Sequence, residues 1–347
     1  MAQAGVSSRE ELHRLMREFE AHCKSLPDGA SAPTFMQYLG RANEASGVQN
    51  RLAEEVRGRE FENREELENY LSAFTAGESS ATLDDFEGLS PGEMHTLLYG
   101  RLADNDALVA FSDALSDEKA LSVALVRVVR WVLKYHIDHD GEIKLTDRGN
   151  YPRALCRAFL STFESGLDMG RSVPSEQSIP LLYTAHDVLV GGDYTEESAK
   201  KSWITTEGAS VFSRGAWAAV YRTALLYLLD AHDWKLWLPE ELQHEHFDII
   251  GQAGVFLLYL LHRHPTGTVG ELYDRFSRAF PAFTQPTQGR EADEDLFREV
   301  FSILFFEHAC RLFGLARLPE RYDSYPAAPK VRYEATAVFR AAFVWRG

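Results

Sequence analysis

The densest run of ligating side chains in the sequence is HIDHDGEIKLTD, residues 136 to 147. Laid on an EF-hand loop, it sets Asp138, Asp140 and Asp147 at the third, fifth and last ligand positions, with Gly141 at the sharp turn and Ile143 at the strand position that pairs loops. Those carboxylates are the metal candidates. The first ligand position holds His136, a poor ligand for a hard cation, and no second acidic loop follows. The same Gly, Ile and Leu145 also read as a tight turn leading into a short strand. His136 and His139 offer imidazoles for a transition metal, but the other close pairs, His244/His246 and His262/His264, are spaced by two. On a helix that spacing turns the rings apart, whereas zinc favours ligands one turn apart.

Cations form a second set of candidates. Arg148, Arg153 and Arg157 surround one helix start, Lys200, Lys201 and Arg214 surround another, and Lys330, Arg332, Arg340 and Arg346 lie near the end of the chain. A helix that enters the major groove needs such cations against phosphate and base edges. The first two sets are the nucleic-acid candidates. Against them stands a net charge of -16, since affinity for duplex DNA comes largely from neutralising phosphate. The charge is uneven: the first 120 residues carry 11 Lys and Arg against 23 Asp and Glu. Such a field favours a partner protein with a basic surface.

No nucleophile elbow, glycine-rich phosphate loop, HExxH helix or paired cysteine is present. Cys23, Cys156 and Cys310 are odd in number, far apart and flanked by apolar residues, which reads as buried thiols in a reducing cytoplasm. No cofactor is expected. The longest apolar run, Val255 to Leu261, is far short of the roughly 20 residues of a membrane span, and the amphipathic, acidic N-terminus does not read as a secretory signal. The chain is expected to be cytoplasmic, with no membrane contact.

The elements that would position these groups are mostly helices. Ser8 with Glu11 forms one capping box, and Ser90, Pro91 and Glu93 satisfy the rules for another helix start. Ser116 opens the next helix, and LSVALVRVVRWVLKY is apolar nearly all round, with Arg127, Arg130 and Lys134 on one exposed stripe and Trp131 placed in the core. A short hairpin in HDGEIKLTDRGN and a helix from Pro152 complete a helix-hairpin-helix module over residues 120 to 163. The order of helix, β element and Thr-led helix returns in SWIT, with Thr206 as cap, and again around LARL and KVRYEA after a Gly314 stop. These spacings predict a mainly α fold, a helical bundle with two or three winged-helix-like units carrying short β-hairpins. The divisions expected are an acidic helical region over 1–80, a helical domain over 81–170 and a C-terminal helical domain over 171–347.

LSPGEMHTLLY, IKLTDRGNYPRALCRAF and WITTEGASVF resemble segments of a loose group of uncharacterised bacterial proteins related to SEC-C-motif and plasmid open-reading-frame-three-like proteins. The resemblance covers about residues 84 to 220 and the last 40, and its strongest element is Leu145, Thr146, Gly149, Asn150 and Pro152. It implies a turn and a helix start, and no enzymatic role. The cysteine-rich metal tail of SEC-C proteins is missing. The function expected is that of a non-enzymatic regulatory or adaptor protein working through protein contacts, partly through aromatic C-terminal segments such as Trp234 and Trp237. The alternatives are a DNA-binding winged-helix regulator and a metal-dependent enzyme or calcium-binding protein.

Overall fold

Among the described residues five capped helix starts rest on a Ser or Thr, and each places a β-extended residue directly before its helix or carries the matching carboxylate three positions on. Ser90 and Glu93 close a reciprocal capping box at the start of α1 (Pro91–Tyr99), with Ser90 Oγ accepting at 3.2 Å and Glu93 Oε2 at 2.7 Å. Ser116 caps α2 (Asp117–Leu121), Thr268 forms a second capping box, and Thr205 and Thr336 cap two further helices. The computed structural model describes residues 80–100, 102, 107–163, 173–198, 200–284, 294–318 and 329–346. The acidic region expected over 1–80, its Ser8 cap and Cys23 lie outside these, apart from residue 80. The chain divides into two compact units, 1–93 and 94–347.

Of the described residues, 65% are helical and 11% are in strands. The mainly α reading therefore holds, with three small antiparallel sheets. In the larger unit β1 (Val109–Phe111) is followed by α2 and by α3 (Ala124–Asp138), whose Leu125, Val126, Val128, Val129, Val132 and Leu133 are wholly buried. After α3 come β2 (Glu142–Lys144), α4 (Arg153–Phe163), α5 (Pro180–Gly191), β3 (Thr195–Ser198), β4 (Lys201–Ile204), α6 (Thr206–Arg214) and α7 (Trp217–Leu226). The sheet order is β2-β4-β3, so the first strand pairs with the third.

The same order of elements returns in the second half of this unit. A linking stretch contains α8 (Asp248–Gln252), and then α9 (Gly254–Arg263) leads to β5 (Thr266–Thr268), α10 (Val269–Ala279) and α11 (Glu294–Phe301). The last continues as a π-helical segment, Ser302–Cys310, and a final turn, α12 (Arg311–Phe313). β6 (Ala316–Arg317), β7 (Arg332–Ala335), α13 (Ala337–Ala342) and β8 (Phe343–Trp345) close the chain, with the sheet order β5-β7-β6. The correspondence extends to single bonds. Ile204 N–H donates to the Gly141 carbonyl at 2.9 Å, and Ala335 N–H donates to the Pro265 carbonyl at 2.7 Å. Tyr194 N–H donates to Leu189, and Leu315 N–H donates to Cys310, both at 2.9 Å.

Four expectations are corrected by the structure. The segment after α3 is a single strand rather than a hairpin, because β2 finds its partner in β4, beyond α4 and α5. The first two of the three recurrences are consequently parts of one sheet. The helix after SWIT is capped by Thr205 rather than Thr206, and it breaks at Gly215, whose φ of 69° no extended helix keeps. Trp131 is only half-buried, packed edge-on against Phe159 and Phe163 at 6.0 Å each, because it shares the flank of α3 with exposed Arg127, Arg130 and Lys134.

The two halves are joined at several points. β1 pairs with β8, Tyr221 Oη donates to the Phe313 carbonyl at 2.7 Å, and Gly314 lies so close to Val123 that a Cβ would sit 3.1 Å from its Cγ2. Among the described residues no helix is long and apolar enough to cross a membrane.

Candidate functional site

The segment from Leu145 to Pro152 is a closed loop that delivers one side chain. Thr146 N–H donates to the Asn150 carbonyl at 2.8 Å, Asn150 N–H returns to Thr146 Oγ1 at 3.1 Å, and Gly149 at φ 78° makes the reversal between them. Leu145 N–H donates to Lys200, which ties the loop to the β3–β4 turn. Tyr151 follows immediately and is driven inward, 2% exposed, ahead of Pro152 and α4.

There Tyr151 stacks on the ring of His186, with centroids 4.0 Å apart, and meets His136 edge-on. His186 sits in the middle of the apolar helix α5 and is held from both sides. Its Nδ1 donates to Glu176 Oε1 at 2.6 Å and its Nε2 to Glu197 Oε1 at 2.5 Å. Glu176, fully buried in the turn before α5, spends its other oxygen on the Tyr151 N–H at 2.5 Å. On the far side of Tyr151, His136 donates Nδ1–H to the Val132 carbonyl at 3.0 Å, which leaves Nε2 to accept from Ser202 Oγ at 3.2 Å. The Tyr151 hydroxyl lies beside Ser202 without forming a proper hydrogen bond to it.

Burial acts on the two histidines with opposite results. For His186 it disfavours the charged ring, but the hydrogen bonds and charges of Glu176 and Glu197 outweigh it and raise the pKa to about 9. For His136 burial prevails and lowers the pKa to about 4. At neutral pH the charged His186 ring, between Glu176 and Glu197, therefore stands across Tyr151 from a neutral imidazole. Burial also pushes the Tyr151 phenol well above its usual range, so it stays protonated.

The next residue of α5 begins a second chain. Tyr227 Oη donates to Asp187 Oδ2 at 2.8 Å, and its oxygen accepts from His232 Nδ1 at 2.9 Å, the only direction left once the phenol proton is committed. His232 leans on Trp237, centroids 4.2 Å apart, and His308 stacks on the same indole at 5.0 Å. Burial, the largest influence on both rings, holds His232 and His308 at about 4.

These clusters hold charge and relay hydrogen bonds, but the described residues bring no activated nucleophile to them. Cys156 is raised to about 11 by burial, and Cys310 is pushed well above the usual thiol range by the same cause. Both are buried free thiols.

The residues singled out by sequence lie elsewhere. Asp138 is bound by Lys134 Nζ at 2.6 Å and Asp147 by Lys200 Nζ at 3.0 Å, both at the surface, while Asp140 stands in the left-handed turn at φ 58°. Among the described residues no three His, Cys, Asp or Glu side chains gather as a metal site. Asp138 ends α3, Asp140 lies in the turn and Asp147 in the loop beyond β2, while Ile143 between them is buried. Arg148, Arg153 and Arg157 are exposed. Lys201 pairs with Glu142 at 2.9 Å and Arg214 with Glu207 at 3.5 Å.

Sequence reasoning passed over Tyr151, Glu176 and Glu197, and took His186 only as one of the histidines scattered outside the 136–147 segment. Two signals mark them: a histidine inside the apolar run PLLYTAHDVLV, and a glutamate at the inward position of the strand TEES. Neither has a spacing that a motif search recognises, because the partners meet only through the fold. No family model, curated protein or solved structure matches this chain.

Proposed function

We propose that the two halves are winged-helix-like units in tandem, and that the chain is a non-enzymatic cytoplasmic adaptor or regulator whose partner is a protein with a basic surface. The order helix, strand, helix, helix, strand, strand, with the first strand beside the third, is the arrangement that a helix-turn-helix with a wing requires. The family resemblance, which implies structure rather than activity, fits this reading. The observation that carries it is the character of the third helix in each half, the position that would enter a DNA groove. α5 has no Lys or Arg and buries Leu182, Thr184, Ala185, His186, Val188 and Leu189. In the other half, Arg298 is tied to Asp274 and Glu294, and Arg311 to Glu307. A helix that spends its surface on the core and its cations on its own acids has little left for phosphate.

The DNA-binding alternative rests on Arg148, Arg153 and Arg157, exposed around the start of α4, on Arg214, paired with Glu207, and on the turn after β3, where Lys200 and Lys201 are engaged only in surface pairs worth about 0–1 kcal/mol each. One experiment separates the two. The full chain is titrated with a duplex at low and at moderate salt, and separately used as bait in native lysate with salt elution and mass identification. The expected result is retention of a basic protein and no duplex binding. Submicromolar duplex binding with a steep salt slope would sink the adaptor reading.

A further inference from the structure

We infer that the ion chain Glu176–His186–Glu197 is a latch that holds the edge strand β3 of the first half onto its third helix. β3 lies at the edge of the sheet and is bonded to β4 alone. Its inward positions are Thr195 and Glu197, and the Thr195 hydroxyl is buried with no hydrogen-bond partner. Neither side chain gives β3 an apolar grip on the core. The other half shows what the fold uses when no latch is present. There the pairing of Ala316 with Ala335 matches that of Thr195 with Ile204, so Leu318 takes the place of Glu197 and the inward side of the strand is aliphatic. Likewise Tyr333 stands where Ser202 does, and the last turns of α9 carry buried Leu260 and Leu261 in the region where α3 has His136. A feature required by the fold would recur in both halves, and this one does not.

The latch spans three pieces of chain: the turn that carries Glu176, helix α5 and strand β3. The groups facing His186 are Glu176, Glu197, the Tyr151 ring, and, at longer range, His136 from α3 and Asp187 on its own helix. Glu176 is fully buried while the Glu197 side chain is 25% exposed, so Glu197 is the end that solvent or an incoming cation reaches first. Removing the charge on His186 leaves one N–H for two glutamates; fully buried Glu176 keeps it, Glu197 loses its donor, and β3 is then held by its ladder alone.

Amide hydrogen exchange on the full chain tests this, with rates corrected for the intrinsic effect of pH. Between pH 7 and pH 10 the amides of β3 and of the β3–β4 turn should lose at least about tenfold of their protection, in line with one pH unit of linkage, while β6 and β7 hold theirs. His186→Gln should show the open rates already at pH 7 and no further change with pH. Equal loosening of both sheets, or β3 protection that ignores pH and the substitution alike, overturns the latch. Should the variant not fold, the wild-type imidazole decides. An NMR titration in which His186 stays protonated past pH 8 supports the latch, and one in which it titrates near the free value overturns it.

Discussion

Thr205 and Thr336 make the same three hydrogen bonds in the two halves. The Thr205 hydroxyl donates to the Asp193 carbonyl at 2.6 Å and accepts from Gly208 N–H, while its own N–H reaches Tyr194. The Thr336 hydroxyl donates to the Gly314 carbonyl at 2.6 Å and accepts from Phe339 N–H, while its own N–H reaches Leu315. One residue thus fixes both the start of the closing helix and the corner where the third helix turns into the sheet.

Thr205→Ala and Thr336→Ala should each destabilise the protein by about 1–2 kcal/mol, the usual cost of a lost cap. Thr→Ser at either site should recover most of it, because the hydroxyl and not the methyl makes the bonds. Urea denaturation of the four variants checks this, and a strongly unequal cost at the two positions would contradict the equivalence.

The corner itself is left-handed in both halves, at φ 56° for Asp193 and φ 66° for Gly314. Gly314→Ala should cost about 1–2 kcal/mol from the conformation alone, with more from Val123, which a Cβ would approach to 3.1 Å. Asp193→Gly should be close to neutral, within about 0.5 kcal/mol, because relief of the left-handed strain is offset by the entropy of glycine. Melting curves of both variants decide the point.

Stability should peak near pH 6.5 and fall on both sides, with different residues responsible for each limb. The folded pKa of His186 is raised to about 9, so between roughly 6.5 and 9 the folded protein holds a proton that the unfolded chain has released. Its contribution, on the order of 3 kcal/mol, is complete below about 6.5 and lost as pH rises through 9. His136, His232 and His308 are lowered to about 4. Here the unfolded chain binds the extra protons, so their contribution is present above about 6.5 and lost as pH falls through 4. Denaturation midpoints from pH 4 to 9, below the range where the buried thiols Cys156 and Cys310 add their own loss, should trace this dome, and His186→Gln should flatten the alkaline limb alone.

Much of this fold could be read from local signals. Ser90–Glu93, Ser116, the stop at Gly314 and the strands in SWIT, LARL and KVRYEA each depend on neighbours within a few residues, and each is present. The pairing of β2 with β4 depends on strands separated by two helices, and nothing in EIK says which strand completes it. The same limit hid the site. Tyr151, Glu176, His186 and Glu197 come from four elements, and an isolated acid in a strand reads as a solvent-facing residue until the register turns it inward.

Calcium should leave the protein unchanged. A cation at 100 times its Kd would stabilise the fold by about 2.7 kcal/mol, which a melting curve detects easily. Asp138 and Asp147 are instead bound to Lys134 and Lys200, and a bound ion would have to displace both. The expected result is the same melting temperature with millimolar calcium and with chelator, and a clear rise with calcium would restore the loop reading.

Tyr221 carries the junction between the halves. Its ring is completely buried on α7, and its hydroxyl satisfies the Phe313 carbonyl at the end of the opposite third helix. Tyr221→Phe preserves the packing and leaves that carbonyl without its partner, at a cost of about 1–3 kcal/mol. The more telling readout is cooperativity. β1 on β8, Gly314 against Val123 and the Tyr221 bond together make residues 94–347 one compact unit, so tryptophan fluorescence, near-ultraviolet and far-ultraviolet dichroism should report one coincident transition in the wild type. If Tyr221→Phe lowers the midpoint and keeps the probes coincident, the halves remain one folding unit with a weakened seam. Divergence of the probes in the wild type would mean that each half folds alone and that the seam only brings two independent units together.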